Sequence, residues 1–480
     1  MPPLPLTKLL QTALPGLSAR SRALVNTLAC YNGDPPLADD VAALVGMRSR
    51  YQLARALRHE GLPSLEELAG WARTLYWLVE AETTGASLRQ LAQHVHLEAA
   101  TAYRLVHRVT GMRWSELRRA GSATTVLRLR NRCEPYSACR GPERLERPIR
   151  RQDRAFALGV PSPVIDRWDA DPMPAGGWLA RGGSRRVATR HPAGVLGERL
   201  HVSGSPFDVA IGWDGDAFVT RVHAAAVDRL RLDPLRATGT IRTGAAPTRV
   251  VLSPTGTDAY VTSQFAEEVG IIDLPSARQV GAMAVPGHPM PAAISRDGCT
   301  LYVATNLDRL YALSLRTRHV VASLPVPQIC TEIALDPTGR RLYVPTWRAG
   351  VILEVDARTL RTTRTFRVAG KVQGLVVSSD ARTLLAANED GWLDVIRLCT
   401  GRPAARLQFG SAAFGVALSP DDAVVYVSLL VAGDVVVIDG HTLEVVTTLH
   451  PGGRPRRIAF DGTGRQALIA NEAGWVDVVR

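Results

Sequence analysis

Lysine is almost missing from this 480-residue chain, with Lys8 and Lys371 the only two among 57 basic residues. Arginine therefore carries nearly all the positive charge, a bias that genome composition alone can produce. Long apolar runs are missing too. None approaches the 18 residues that a membrane-crossing helix needs, which excludes a helical membrane anchor and any membrane partner for one. The first twenty residues place prolines and Lys8 inside their apolar part, with no small-residue cleavage site after it, so they do not read as a secretory leader and a cytoplasmic protein is expected. Cysteine is scarce and scattered (Cys30, Cys133, Cys139, Cys299, Cys330, Cys399), which predicts buried free thiols rather than a disulfide framework. Cys133 and Cys139 flank Pro135 but supply too few ligands for a metal site. Phosphate-cradling glycine loops, zinc-ligand spacings and nucleophile elbows are all lacking. No cofactor, metal or catalytic set is expected, and an enzyme is not the first reading.

The charge that is present is unevenly placed. Residues 1–196 hold 28 basic against 17 acidic residues, whereas residues 197–480 hold 29 against 28. The whole excess of +12 thus sits almost entirely in the N-terminal part. A length of 480 residues suggests two or three domains, and a one-sided basic domain suggests a polyanionic partner.

That basic part is patterned as helices. Ser87 with Gln90 forms a capping box, Leu88, Leu91, Ala92 and Val95 recur at helical spacing, and a second phase runs through Tyr103, Val106 and Val109 to a stop at Gly111. A similar shape lies fifty residues earlier, with Val41-Ala42 matching Leu91-Ala92, Val45 matching Val95 and Gly61 matching Gly111. One helix, Ser64 to Glu82, joins the two. Residues 1–36 add one or two helices, of which Leu17 to Ala29 is the clearer.

Two helix-turn-helix units joined by one helix make Leu37 to Arg118 similar to the AraC-type DNA-binding domain. The stretch VGMRSRYQLARALRHEG stands as first turn and recognition helix, and YRLVHRVTGMRWSELR as closing segment. His96 stands where that family has a turn glycine. The resemblance implies a reader of double-stranded DNA, with Arg48, Arg50, Tyr51, Gln52 and Arg55 in the first unit and Thr101, Ala102, Arg104 and Arg108 in the second. Arginine and glutamine pair bidentately with guanine and adenine edges, and a rigid joining helix sets two such readers about 34 Å apart.

From about Gly121 to Gly194 the chain is rich in Arg, Pro and Gly and reads as a linker, partly ordered near Ser122 to Leu129. A new regime begins near Val195. A turn recurs at Gly215, Gly256, Gly298, Gly339, Ala381, Asp422 and Gly464, with spacings of 41 or 42 residues, and strands lie between. Seven such units predict a seven-bladed β-propeller over 195–480. Stretches such as VVLSPTGTDAYVTSQFAEEVGIID resemble the YVTN-type propeller repeat. The seventh unit is one strand short, and Val195 to Gly204 is similar to the missing outer strand. The expected fold class is therefore multidomain: a helical double helix-turn-helix domain (1–120), a linker (121–194) and an all-β propeller (195–480).

Within the propeller, Asp208, His288, Glu332 and Glu389 are the acids and histidine nearest blade starts or turns, and they do not recur as a set. Asn306, Asn388 and Asn471 follow the second strand in three units and read as turn caps. Two functions stand. One is a transcription regulator whose propeller senses a small ligand or docks a protein. The other is a propeller scaffold or lactonase-like hydrolase with a vestigial helical domain. Oligomeric state is left open by both.

Overall fold

The structure is a computed structural model and describes residues 4–14, 17–35, 37–47, 49–95, 97–133, 194–326, 329–347, 350–368 and 370–480. Eight helices come first: α1 (Leu4–Ala13), α2 (Ala19–Cys30), α3 (Ala38–Leu44), α4 (Arg50–His59), α5 (Leu65–Thr84), α6 (Leu88–His94), α7 (Ala99–Thr110) and α8 (Trp114–Cys133). Local chemistry sets their ends. Ser18, Ser49, Ser64 and Ser87 each accept a hydrogen bond from the backbone N–H three residues on, and Gln90 completes the reciprocal box with Ser87. Gly85 and Gly111 end α5 and α7 in the left-handed region, at φ 74° and 71°. Helix α8 breaks at Gly121 and continues to Cys133, so the predicted linker opens as helix. Its remainder up to residue 193 lies outside the described residues.

Two apolar cores hold the helices. In one, α6 and α7 fold onto α5 and α8 around Trp77, Leu88, Ala102, Val106 and Leu117. In the other, Leu24, Leu28, Val41, Leu53, Leu57 and Leu75 pack with Ala245, Ala246 and Phe265 of the β region. The helices are therefore bonded to the propeller rather than strung beside it. Asn26 Nδ2 donates to the Phe265 carbonyl (3.4 Å) and Gln11 Nε2 to Glu267 Oε1 (3.3 Å). No described helix is long and apolar enough to cross a membrane.

The β region forms seven four-stranded antiparallel sheets. All seven turn residues that set the sequence repeat have positive φ, between 57° and 78°. Glycine fills five of them at little cost, whereas Ala381 and Asp422 carry a Cβ into the left-handed region. Six sheets use strands consecutive in the chain. The seventh pairs Leu196–His201 with Trp475–Val479 near the other end, and Arg199 Nε donates to Asp477 Oδ1 (2.6 Å) across that seam. Pairing the two ends leaves no open sheet edge at the closure. The architecture is a seven-bladed β-propeller behind an N-terminal region of eight described helices.

The described cysteines are free thiols. Burial pushes Cys30 and Cys330 up to about 12, while Cys299 and Cys399 are exposed rather than buried as expected. Cys139 lies outside the described residues.

Candidate functional site

The inner strands that face the central channel are Pro206–Ile211, Pro247–Leu252, Pro289–Ile294, Ala334–Leu335, Val372–Val377, Ala413–Leu418 and Pro455–Phe460. In six of the seven blades the register slips near the strand start. Such bulges re-aim one side chain. Seven residues before each repeat turn, at the slip in those six blades and just before the inner strand in the fourth, stand Asp208, Arg249, Pro291, Glu332, Gly374, Gly415 and Arg457. They form one ring around the channel.

Four members of the ring meet. Arg249 Nη2 lies 2.8 Å from Glu332 Oε1, and its Nη1 lies 3.4 Å from Asp208 Oδ1. Arg457 pairs with Glu332 Oε2 and donates to the Thr331 carbonyl (3.1 Å). Asp208 Oδ2 accepts from Val250 N–H (2.9 Å). Glu332 belongs to the fourth blade and Arg457 to the seventh, so their contact crosses the channel axis. The glycines close the opposite side, for a Cβ on Gly374 would lie 2.5 Å from the Phe414 carbonyl oxygen. Burial raises the Asp208 carboxyl, against the pull of Arg249. Burial also lowers Arg457, whereas for Arg249 the two carboxylates outweigh burial and raise it. Two guanidiniums and two acids make a balanced bar across the channel.

On the side where the helices dock, the mouth is aromatic and charged. The Arg456 guanidinium lies 4.4 Å from the Phe414 ring centre and 5.2 Å from that of Phe207, and its Nε donates to Glu472 (2.9 Å). Arg454 pairs with the same carboxylate at 3.6 Å. Lys371 lies over the Trp347 ring (4.6 Å), and Glu389 accepts from Trp347 Nε1 (3.3 Å) and Gln373. His223 Nδ1 is 3.0 Å from Ser205 Oγ. Burial lowers the pKa of this imidazole, opposed by Glu472 and by Asp40 of α3. Burial raises Tyr31 at the end of α2, with Cys30, Glu472 and Asp40 adding to the rise. Tyr31 and His223 thus both stand within electrostatic reach of Glu472 and of Asp40. Beyond the bar lies a cavity of ≈570 Å³ walled by Val209, Ile211, Leu252, Leu418 and Phe460, with no His, Cys, Met or Tyr in its lining.

The four propeller residues singled out from sequence have separate fates. Asp208 and Glu332 meet through Arg249 and Arg457, two residues that the search for acids alone missed. Aligning the repeats on their turns would have found them, since all four share one column. Glu389 lies at the mouth. His288 lies apart, 2% exposed, with Nε2 unpartnered among described atoms and its pKa lowered by burial to about 4. Asn388 and Asn471 cap turns by accepting from Trp392 and Ala473 N–H (3.1 Å each), but both amide atoms of buried Asn306 lack a partner. No group of three or more possible metal ligands occurs among the described residues.

The DNA-reading positions are scattered in their roles. Ala102 is fully buried in the α5–α8 core and reaches no base edge. Gln52 and Arg55 line a cleft shared with Arg242 of the propeller. Gly46, in the first turn, faces Ala225. Arg108 pairs with Glu66 (3.3 Å), Arg104 donates to Thr101 (3.1 Å), and Arg50 stacks on Tyr51 (5.2 Å). Arg48 lies outside the described residues.

Comparison with known proteins agrees. Residues 344–456 match the cytochrome D1 heme domain family, a span short of half the chain. The hydrazine synthase of Kuenenia stuttgartiensis is similar in fold, with TM-score 0.53 and 18% identity over 58% of this chain and 97% of that one. No curated protein sequence matches. These similarities support the propeller and give no support to an AraC-type domain. The family match overturns the reading as a DNA-binding transcription regulator and duplex DNA as its partner, because it points instead towards a heme-domain propeller family.

Proposed function

We propose that this chain is a heme-binding propeller whose ligand sits at the helix-covered mouth, above the charged bar. The observation that carries the reading is where the matched stretch lands. Residues 344–456 contribute Trp347, Lys371, Gln373, Glu389, Phe414, Arg454 and Arg456 to that mouth.

The fit differs between the two ends of the channel. Heme iron takes His, Cys, Met or Tyr as axial ligand. The lining of the inner cavity offers none, and the bar closes it from the mouth, so a heme does not fit there. At the mouth the groups suit it. Arg454, Arg456 and Lys371 match the carboxylates of a heme edge, and Phe207, Phe414 and Trp347 offer flat apolar faces. Burial favours neutral imidazole at His223, and its Nδ1 is held by Ser205, which leaves Nε2 for iron. Tyr31 is held as a phenol. A bound heme would supply an iron centre for electron transfer or ligand capture; the chain's own part is to bind it, orient it and exclude water.

Titrating hemin into the full chain tests this. A saturable 1:1 change in the visible spectrum is expected, with affinity at least tenfold weaker in Arg456→Ala and a shifted band in His223→Ala. Lack of saturation, or curves unchanged in both variants, would contradict it.

A further inference from the structure

The cleft between the helices and the propeller is independent of the mouth. It consists of two adjoining cavities of ≈460 and ≈750 Å³ that share Arg20, Gly46, Met47 and Arg242. Four arginines line it: Arg221, at the end of strand Asp216–Arg221, is paired with Asp228 (3.0 Å), and the other three are Arg20 from the first turn of α2, Arg55 from α4, and Arg242 from the end of strand Leu235–Arg242. These three are exposed, and none of their guanidiniums has an ion pair or hydrogen bond with a described residue. The arginines of the channel and mouth differ, having carboxylate partners.

Acids do not balance them. Glu60 is already committed, accepting from the N–H and hydroxyl of Ser18, where it caps α2. Glu268 accepts from Gln279 (3.3 Å), and burial raises its carboxyl. His59 adds a further potential donor. The shared apolar core joins the walls, so the elements that carry the three arginines line one cleft.

We infer that this cleft binds a small molecule bearing a diphosphate-type group. Three forked cations from different directions suit a tetrahedral polyanion better than a single planar carboxylate, and the cavity has room for an attached organic part. Such a ligand touches both the helices and the outer strands of the first two blades, so it braces one against the other.

The test is calorimetric titration of the full chain with inorganic pyrophosphate at about 0.15 M salt. Saturable one-site binding is expected, with a rise in melting temperature. The double variant Arg20→Ala/Arg242→Ala should weaken binding more than tenfold, and Arg242→Lys, which keeps charge but loses the fork, by less. Arg104→Ala, an exposed arginine away from the cleft, serves as control and should leave binding unchanged. Absence of saturable binding, or equal weakening by Arg104→Ala, would overturn the inference.

Discussion

The two ends of the channel are built from the same seven strands yet share almost no chemistry. Near the strand starts stand guanidiniums, carboxylates and aromatic faces, overhung by helices; near the strand ends stand valine, leucine, isoleucine and phenylalanine around a cavity whose charged lining is the bar itself and Asp461. The apolar ends belong to the repeat, because each blade must bury its faces against the next. The strand starts are freed from that duty by the bulges, so single copies depart from the repeat there. Function is therefore sought where copies differ, and the four-charge bar marks the border between the two regimes.

Removing the border should have the largest effect. Glu332→Leu leaves Arg249 and Arg457 without their shared carboxylate, and a loss of about 3–5 kcal/mol is expected in urea unfolding of the full chain. A change under about 1 kcal/mol would mean that water already reaches the bar.

Acid should act next, with His288 on the covered side as the group to follow. Its folded pKa of about 4 is below the model-peptide 6.5, so the unfolded chain takes up the proton first. The stability from neutral His288 is complete above pH 6.5 and falls as pH drops towards 4, by roughly 3 kcal/mol in all. Asp208 has a raised carboxyl and acts oppositely, gaining stability as pH falls, so the difference between wild type and His288→Phe is the quantity to follow. Parallel pH profiles would refute the role of His288.

A finer contrast compares one substitution at each end. Arg456→Ala at the mouth should weaken hemin binding tenfold or more, about 1.4 kcal/mol, while Leu418→Ala beyond the bar should change it less than twofold. Equal effects would erase the distinction. The smallest effect concerns the turns. Ala381→Gly relieves a left-handed Cβ and should be neutral or stabilising by under about 1 kcal/mol, whereas Gly339→Ala should cost about 1 kcal/mol. Matching thermal shifts of the same sign would show that the turns are not equivalent.

Much of the fold was legible in the sequence because its signals are local. A left-handed turn needs glycine or a short polar residue, which made the 41- or 42-residue period visible, and Ser64 and Ser87 marked two helix starts. The docking of helices on blades was not legible, since Asn26 and Phe265 meet across 239 residues. The helical pattern also misled about partners. It placed Ala102 on the recognition helix but could not say that this face packs inward. The bar was within reach of the sequence, but only once basic and acidic residues were read in one column. Asn306 failed as a cap because Thr305 Oγ1 takes the Arg309 N–H in its place (3.2 Å).

The most direct measurement is a crystal structure of the full chain grown with hemin, with the iron located by its anomalous signal. The account predicts one iron on the helix-covered side of the bar, within ligand distance of His223 and with the heme edge towards Arg454 and Arg456. Iron in the cavity beyond Glu332, or no ordered iron under saturating hemin, would contradict it.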